Sequence, residues 1–271
     1  MTTQNIQIHA STLPSYSDCP RRAAAKSFGR LVMDAGFEFQ KSPAGIGAAI
    51  GTAVHKAADH ILQQKIKTDT LGNIREAVEI GIDRFKKEIS DGVVWDSTTE
   101  NQNSAEKQID RLSNSFYSEV APIVKPKNTE INYRAVISEG FELTGRIDLE
   151  ENNESIHDWK TGAVLRPYHG QMGGYSLLKK SVALIPENLI IHYLPRVSIK
   201  KNYPGAQHIQ YDRAMCERAA WSILQIIIRD IKNFQRTQNP WSFAANPMSV
   251  LCSEKFCPAY KTQFCEMGGC K

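Results

Sequence analysis

The spacing of apolar side chains changes character once along this chain, after about residue 125. Before that point the pattern is helical. The stretch STLPSYSDCPRRAAAKSF opens at Ser11, a residue suited to capping, and runs into alanine-rich sequence. Pro14 fits a first turn, and Pro20 marks a break or a second start. Residues 43–66 predict a long helix whose small packing face, with Gly47 and Gly51, admits a close neighbour. Stretches near 72–90 and 104–123 predict two more helices, each polar on one face. Four helices are thus expected before the first strand.

Beyond that point, alternation and β-branched residues take over. Residues 129–138 (TEINYRAVIS), 141–149 (FELTGRIDL) and 153–159 (NESIHDW) read as strands separated by turns, an antiparallel meander. Residues 167–182 predict a helix, 187–195 (ENLIIHYLP) a buried strand, and 206–211 a short edge strand. A helix over 212–236 carries Ala219, Ile223, Ile226, Ile227 and Ile231 at helical spacing. The tail after Pro240 is irregular and rich in cysteine. The expectation is one mixed α/β domain over 1–271: a mostly helical head (1–125), a core (126–240) and a cysteine-rich tail (241–271).

Composition adds limits. A hydrophobic fraction of 41% and a charged fraction of 23% are those of a folded chain. No run approaches the ~18 apolar residues of a membrane span, and the polar start lacks a signal-peptide pattern, so a cytoplasmic protein without membrane partners is expected. The net charge of +4 decides little, because nucleic-acid binders concentrate charge locally.

The candidate chemistry lies in two adjacent strands. GRID ends one with Asp148, and HDWK places Asp158 and Lys160 on the next. Residues two apart on a strand share a face, so Asp158 and Lys160 stand side by side while Trp159 points into packing. If the hairpin pairs, Asp148 comes alongside Asp158. Two converging carboxylates favour a divalent cation between them, and a nearby lysine can orient a water. Taken alone, D-x-K on a half-exposed strand is ordinary solvated charge. His55 in GTAVH, and Gln171 and Tyr175 one helical turn apart after the lysine, change that balance.

In this order, GTAVH, Glu130, GRID, DWKTG and QMGGY resemble the PD-(D/E)XK nuclease superfamily, in its RecB-like branch of phage exonucleases and CRISPR-associated adaptation nucleases. The resemblance implies a restriction-endonuclease-like mixed central sheet flanked by helices. It implies Mg²⁺ or Mn²⁺ held by His55, Asp148, Asp158 and the carbonyl of Trp159, with Lys160 activating water and Gln171 and Tyr175 contacting substrate or supporting the lysine. Glu130 occupies the upstream acidic position, either in the site or as a solvated strand-edge charge.

Of six cysteines, Cys252, Cys257, Cys265 and Cys270 lie in the tail, with Cys19 near the start in CPRR. Cys19, Cys252, Cys257 and Cys265 resemble the one-plus-three arrangement of iron–sulfur members of that branch. Four thiolates suit a [4Fe–4S] cluster or a structural zinc, and the resemblance favours the cluster, a clasp joining the two ends of the chain. Cys270 reads as free and Cys216 as a small hydrophobe. Arg21 and Arg22 follow Cys19 and are expected along the DNA path. Further basic residues are Arg146, Lys179, Lys180, Arg196, Lys200 and Lys201. The expected activity is a metal-dependent DNase, an exonuclease accepting single strands in a phage or recombination setting. The alternatives are a non-catalytic DNA-binding or assembly module, or a nuclease subunit acting with a helicase, recombinase or integrase.

Overall fold

The computed structural model describes residues 5–41 and 44–266. Six strands form one mixed sheet: β1 (Ile6–His9), β2 (Pro126–Ser138), β3 (Phe141–Glu151), β4 (Ile156–Lys160), β5 (Leu189–Tyr193) and β6 (Gln207–Tyr211). The helices are α1 (Thr12–Asp18), α2 (Pro20–Ser27), α3 (Gly29–Asp34), α4 (Ile46–Thr68), α5 (Ile74–Glu88), α6 (Gln102–Ser115), α7 (His169–Ser181) and α8 (Arg213–Thr237). Strands β2, β3 and β4 form the expected antiparallel meander, β4 and β5 are parallel, and β6 is an antiparallel edge.

Strand and helix do not divide the chain as expected, because a strand precedes the helices. The alternating Ile6-Gln7-Ile8-His9 pairs in parallel with Phe141–Thr144 of β3 and buries Ile8. Four residues without local hydrogen-bond partners leave only a faint signal, since their ladder partner lies far along the chain.

The two sides of the sheet bury different clusters. On one side Leu13, Ala24, Met172, Leu178, Ala220, Leu224 and Ile227 pack with Ile156 and Ile191. On the other, Ile50, Val54, Ala57 and Ile61 of α4, Phe85 of α5 and Ile109 of α6 pack with Leu149 and Trp159. The small residues of α4 bring it close to the sheet: a side chain at Gly51 would meet Thr161 Oγ1 at 3.2 Å, and one at Gly47 the Arg196 guanidinium at 3.2 Å. Helix α6 widens into a π-helical turn at Phe116–Val120, where the Phe116 ring packs edge-on against Trp159 at 5.0 Å. No helix is long and apolar enough to cross a membrane among the described residues.

Helix α7 lies directly on α8. A methyl group added at Gly173 would fall 1.9 Å from the carbonyl oxygen of Cys216, so no side chain fits there. Gln171 and Tyr175 flank this contact, which fixes how far α7 reaches toward β4. We expect Gly173→Ala to lower the unfolding free energy by about 3 kcal/mol, the upper range for overpacking. Urea denaturation measures it, and a variant as stable as the parent would show that the helices do not approach this closely.

Candidate active site

Strand β3 shares one edge between two neighbours. β1 pairs with it up to Thr144, and β4 pairs from Leu149 onward, leaving Gly145–Asp148 with no strand on that edge. The β3–β4 ladder ends at His157. In its place the Asp148 carboxylate accepts a hydrogen bond from the backbone N–H of Trp159 at 3.1 Å. A cleft opens in this fork, lined by His55, Asp148, Asp158, Lys160, Gln171 and Tyr175 together with residues of β1, β2 and β3.

Asp158 and Lys160 meet as the strand period requires, with Nζ 2.7 Å from Oδ2. Gln171 donates to the other Asp158 oxygen at 3.2 Å and to the Tyr175 hydroxyl oxygen at 2.7 Å. The Tyr168 ring lies beneath the lysine, 5.1 Å from Nζ, a cation–π distance that strand and helix patterns gave no reason to expect. Trp159 is fully buried between α4 and α6.

His55 comes from α4. Its Nδ1 is 3.3 Å from Asp148 Oδ1 and its Nε2 is 3.0 Å from the Trp159 carbonyl oxygen. Both ring nitrogens thus face acceptors. Glu130 sits between the pairs Thr129–Leu149 and Ile131–Ile147, across from Asp148, with a left-handed φ of 54° inside a strand. That conformation costs on the order of 1–2 kcal/mol for a residue bearing a Cβ. Its Oε2 pairs with Arg146 Nε at 2.6 Å. Ligand atoms of His55, Glu130 and Asp148 lie within 4.8 Å of one another. Asp158, expected as a ligand, lines the same cleft with its oxygens beside Lys160 and Gln171, and Glu130 joins His55 and Asp148 in the cluster.

Crowded acids set the electrostatics. Burial, and then repulsion from Asp148, push Glu130 up to about 6. Burial also raises Asp158 to about 6, with Lys160 opposing and Asp148 adding to the shift. Burial acts upward on Asp148 too, but His55, Lys160 and the Trp159 N–H outweigh it and hold the carboxyl below its ordinary range. Burial works against charge on Lys160 and His55, yet the carboxylates beside them raise both. Two carboxylates, an imidazole and a backbone carbonyl in a half-buried cleft form a donor set suited to a hard divalent cation that tolerates nitrogen.

The four thiols of the expected clasp also converge. Cys19, Cys252, Cys257 and Cys265 line one cavity with Arg22, Ala245, Asn246 and Pro247. Burial pushes the Cys257 thiol up to about 11, so only a bound metal would keep it as thiolate. Cys216 is packed in the core, and Cys270 lies outside the described residues.

The arginines beside Cys19 do not face the cleft. Arg21 is buried, donates from Nε to the Phe243 carbonyl at 3.0 Å and stacks on Trp241 at 4.3 Å. Arg22 donates to Ser249 Oγ at 2.9 Å and to Asp18 at 2.6 Å. Both are buried away from the cleft, held by the tail and by Asp18 of α1, which corrects the expectation of a place on the DNA path. Lys179 and Arg196 are likewise buried, paired with Glu150 at 3.1 Å and Asp96 at 2.7 Å.

The sequence profile of the PD-(D/E)XK nuclease superfamily matches residues 7–262, and the chain belongs to that superfamily. Nucleases of this group hydrolyse phosphodiester bonds and use divalent metals. Among solved structures, a candidate exonuclease from Eubacterium rectale shares the fold at 13% identity, with a TM-score of 0.54 over 91% of this chain and 87% of its own. LHK-Exo in complex with dAMP aligns at 10% identity, with a TM-score of 0.31 over 69% of this chain and 96% of its own. No curated protein matches.

Metal binding at this cluster has to displace protons. Glu130 titrates at about 6 and His55 above its ordinary value, so both lose protons when they ligate. Mn²⁺ affinity should therefore fall most steeply below about pH 6, where Glu130 holds its proton, by up to about tenfold per pH unit for each proton displaced. Calorimetry in buffers of different ionisation enthalpy counts those protons, and a pH-independent affinity would exclude these ligands.

Proposed function

We propose that this chain is a divalent-metal-dependent deoxyribonuclease, acting as an exonuclease on single-stranded DNA. The observation that carries the reading is the fork: it brings His55, Glu130 and Asp148 within 4.8 Å of one another. Beside them stands the Lys160–Asp158 pair, at 2.7 Å.

His55, Glu130, Asp148 and the Trp159 carbonyl would hold Mg²⁺ or Mn²⁺. Such an ion supplies a nucleophilic hydroxide near neutral pH and neutralises charge on the phosphate. The chain's own residues do the remaining work. Lys160, kept charged by the two aspartates, orients the attacking water and stabilises negative charge building on the phosphoryl oxygens. Asp158 fixes the lysine in one rotamer, and Gln171 and Tyr175 hold Asp158 from the far side. The Tyr168 ring limits the ammonium from below. Burial of this group removes competing water and strengthens each interaction.

We further propose that Cys19, Cys252, Cys257 and Cys265 hold a [4Fe–4S] cluster, with zinc as the alternative, in a purely structural role. Hydrolysis needs no electron transfer, and the cavity they line belongs to the packing between α2 and the tail. Reduced thiols of this kind suit a cytoplasmic setting.

With Mg²⁺ or Mn²⁺, the purified protein should degrade end-labelled single-stranded DNA faster than duplex. Asp158→Asn and Lys160→Ala should each cut the rate about a thousandfold or more without changing the circular dichroism spectrum. A folded variant of either kind retaining near-normal cleavage would overturn this centre.

For the clasp, protein purified anaerobically should be brown, with a broad absorption near ~400 nm. Cys257→Ala should remove the colour and lower Tm. Colourless protein with stoichiometric zinc would replace the cofactor and keep the clasp, whereas metal-free protein with an unshifted Tm in the variant would remove both.

A further inference from the structure

Strands β1, β2 and β3 bury one side and leave the other open beside the fork. Ile8, Leu143 and Ile147 point into the core, and Tyr133 and Ala135 pack against the same cluster. The alternate positions face solvent: Gln7, His9, Asn132, Arg134 and Arg146 are exposed. Helix α4 meets β2 at Thr129, whose hydroxyl bonds with Gln63 and Asp59, and beyond it the outward side chains of β2 are bare at Asn132, Arg134 and Val136. The exposed set lines the same cleft as Asp148, Asp158 and Lys160.

Register orders these residues into rows. Asn132 stands opposite Arg146, nearest the catalytic aspartates. Arg134 stands opposite Thr144, which in turn stands opposite His9 of β1. The exposed His9 ring is held by a 2.6 Å contact between Nδ1 and Thr144 Oγ1. The Arg134 side chain has no hydrogen-bond or ion-pair partner among the described residues. Successive rows lie about 7 Å apart, and three strands span about 10 Å. The row spacing is comparable to that of consecutive phosphates in an extended strand, and the width suits one backbone better than two.

We propose that this open face is the track for the single strand leading to the scissile bond, with Arg146 and Arg134 holding its flanking phosphates and Asn132, Thr144 and His9 offering further polar contacts. The inference rests on the nuclease reading above and adds to it where the strand lies. Phosphates carry no base identity, so the track is indifferent to sequence. An acidic centre that takes a cation, followed by arginines that take bare phosphates, divides the backbone between two kinds of counter-charge.

The test uses Arg134→Gln in the full chain, because Arg146 also pairs with Glu130. Binding of fluorescent oligonucleotides, single-stranded and duplex and of two unrelated sequences, is measured by anisotropy with Ca²⁺ in place of Mg²⁺ from about 50 to 200 mM salt. Removing one phosphate contact should weaken single-strand binding about three- to tenfold for both sequences. It should also reduce the slope of log K against log salt by about 0.7. Unchanged Tm confirms that the fold is intact. An unaltered slope, a loss confined to one sequence, or a loss confined to duplex would each overturn the track. The readout is binding without cleavage, so a parent protein that binds with this slope and never cuts would sink the nuclease reading and leave the track standing.

Discussion

The arrangement of this molecule depends on one broken hydrogen-bond ladder. Strand β4 pairs with β3 for two residues and then turns away, and the Trp159 N–H takes the Asp148 carboxylate in place of a backbone carbonyl. A buried N–H cannot be left without an acceptor, so the substitution holds the carboxylate in one position at the point where the sheet splits. Everything around it is arranged by that split. Lys160 and Asp158 ride on the diverging strand, β5 supports it from the other side, and α4 brings His55 against the same carboxylate. Trp159 is the pivot. Its ring is wedged between the π-helical turn at Phe116 and the face of α4, so its carbonyl and its N–H both point where the site needs them.

The legible parts of this design are those with a local period. The long helix α4, the meander β2–β4, helices α7 and α8 and the two later strands all follow from spacing alone. So does the adjacency of Asp158 and Lys160, because a two-residue repeat leaves no other arrangement. What could not be read depends on distant partners. β1 is four residues whose hydrogen bonds lie with β3, and its apolar positions are too few to announce a strand. The place of Glu130 in the acidic cluster needs a left-handed backbone in mid-strand, which no residue-type rule anticipates for glutamate. Arg21 and Arg22 are expected along the DNA path because they follow Cys19, yet a carbonyl and a hydroxyl of the tail and the Asp18 carboxylate hold them inside.

The tail illustrates how an irregular segment can still be firmly placed. Phe264 sits among Phe37, Phe39, Phe234 and Phe243, and Asn246 and Ser249 bond to Asp18. These contacts join α1, the segment after α3, α8 and the tail through aromatic packing and neutral donors before any thiol is counted. The cysteines therefore converge within a segment that aromatic packing and side-chain hydrogen bonds also hold.

The position of β1 carries a consequence for synthesis. It is made first, but the edge it occupies belongs to β3, and the other half of that edge to β4. A nascent chain emerging from the ribosome holds His55 and the whole of α4 long before either aspartate exists. The walls of the cleft come from both halves of the chain, from Gln7 and His9 of the first strand to Gln171 and Tyr175 of α7. Contacts this distant in sequence are slow to form. The cleft cannot exist before the chain has been made as far as Tyr175, and shorter nascent chains carry His55 and α4 without their partners.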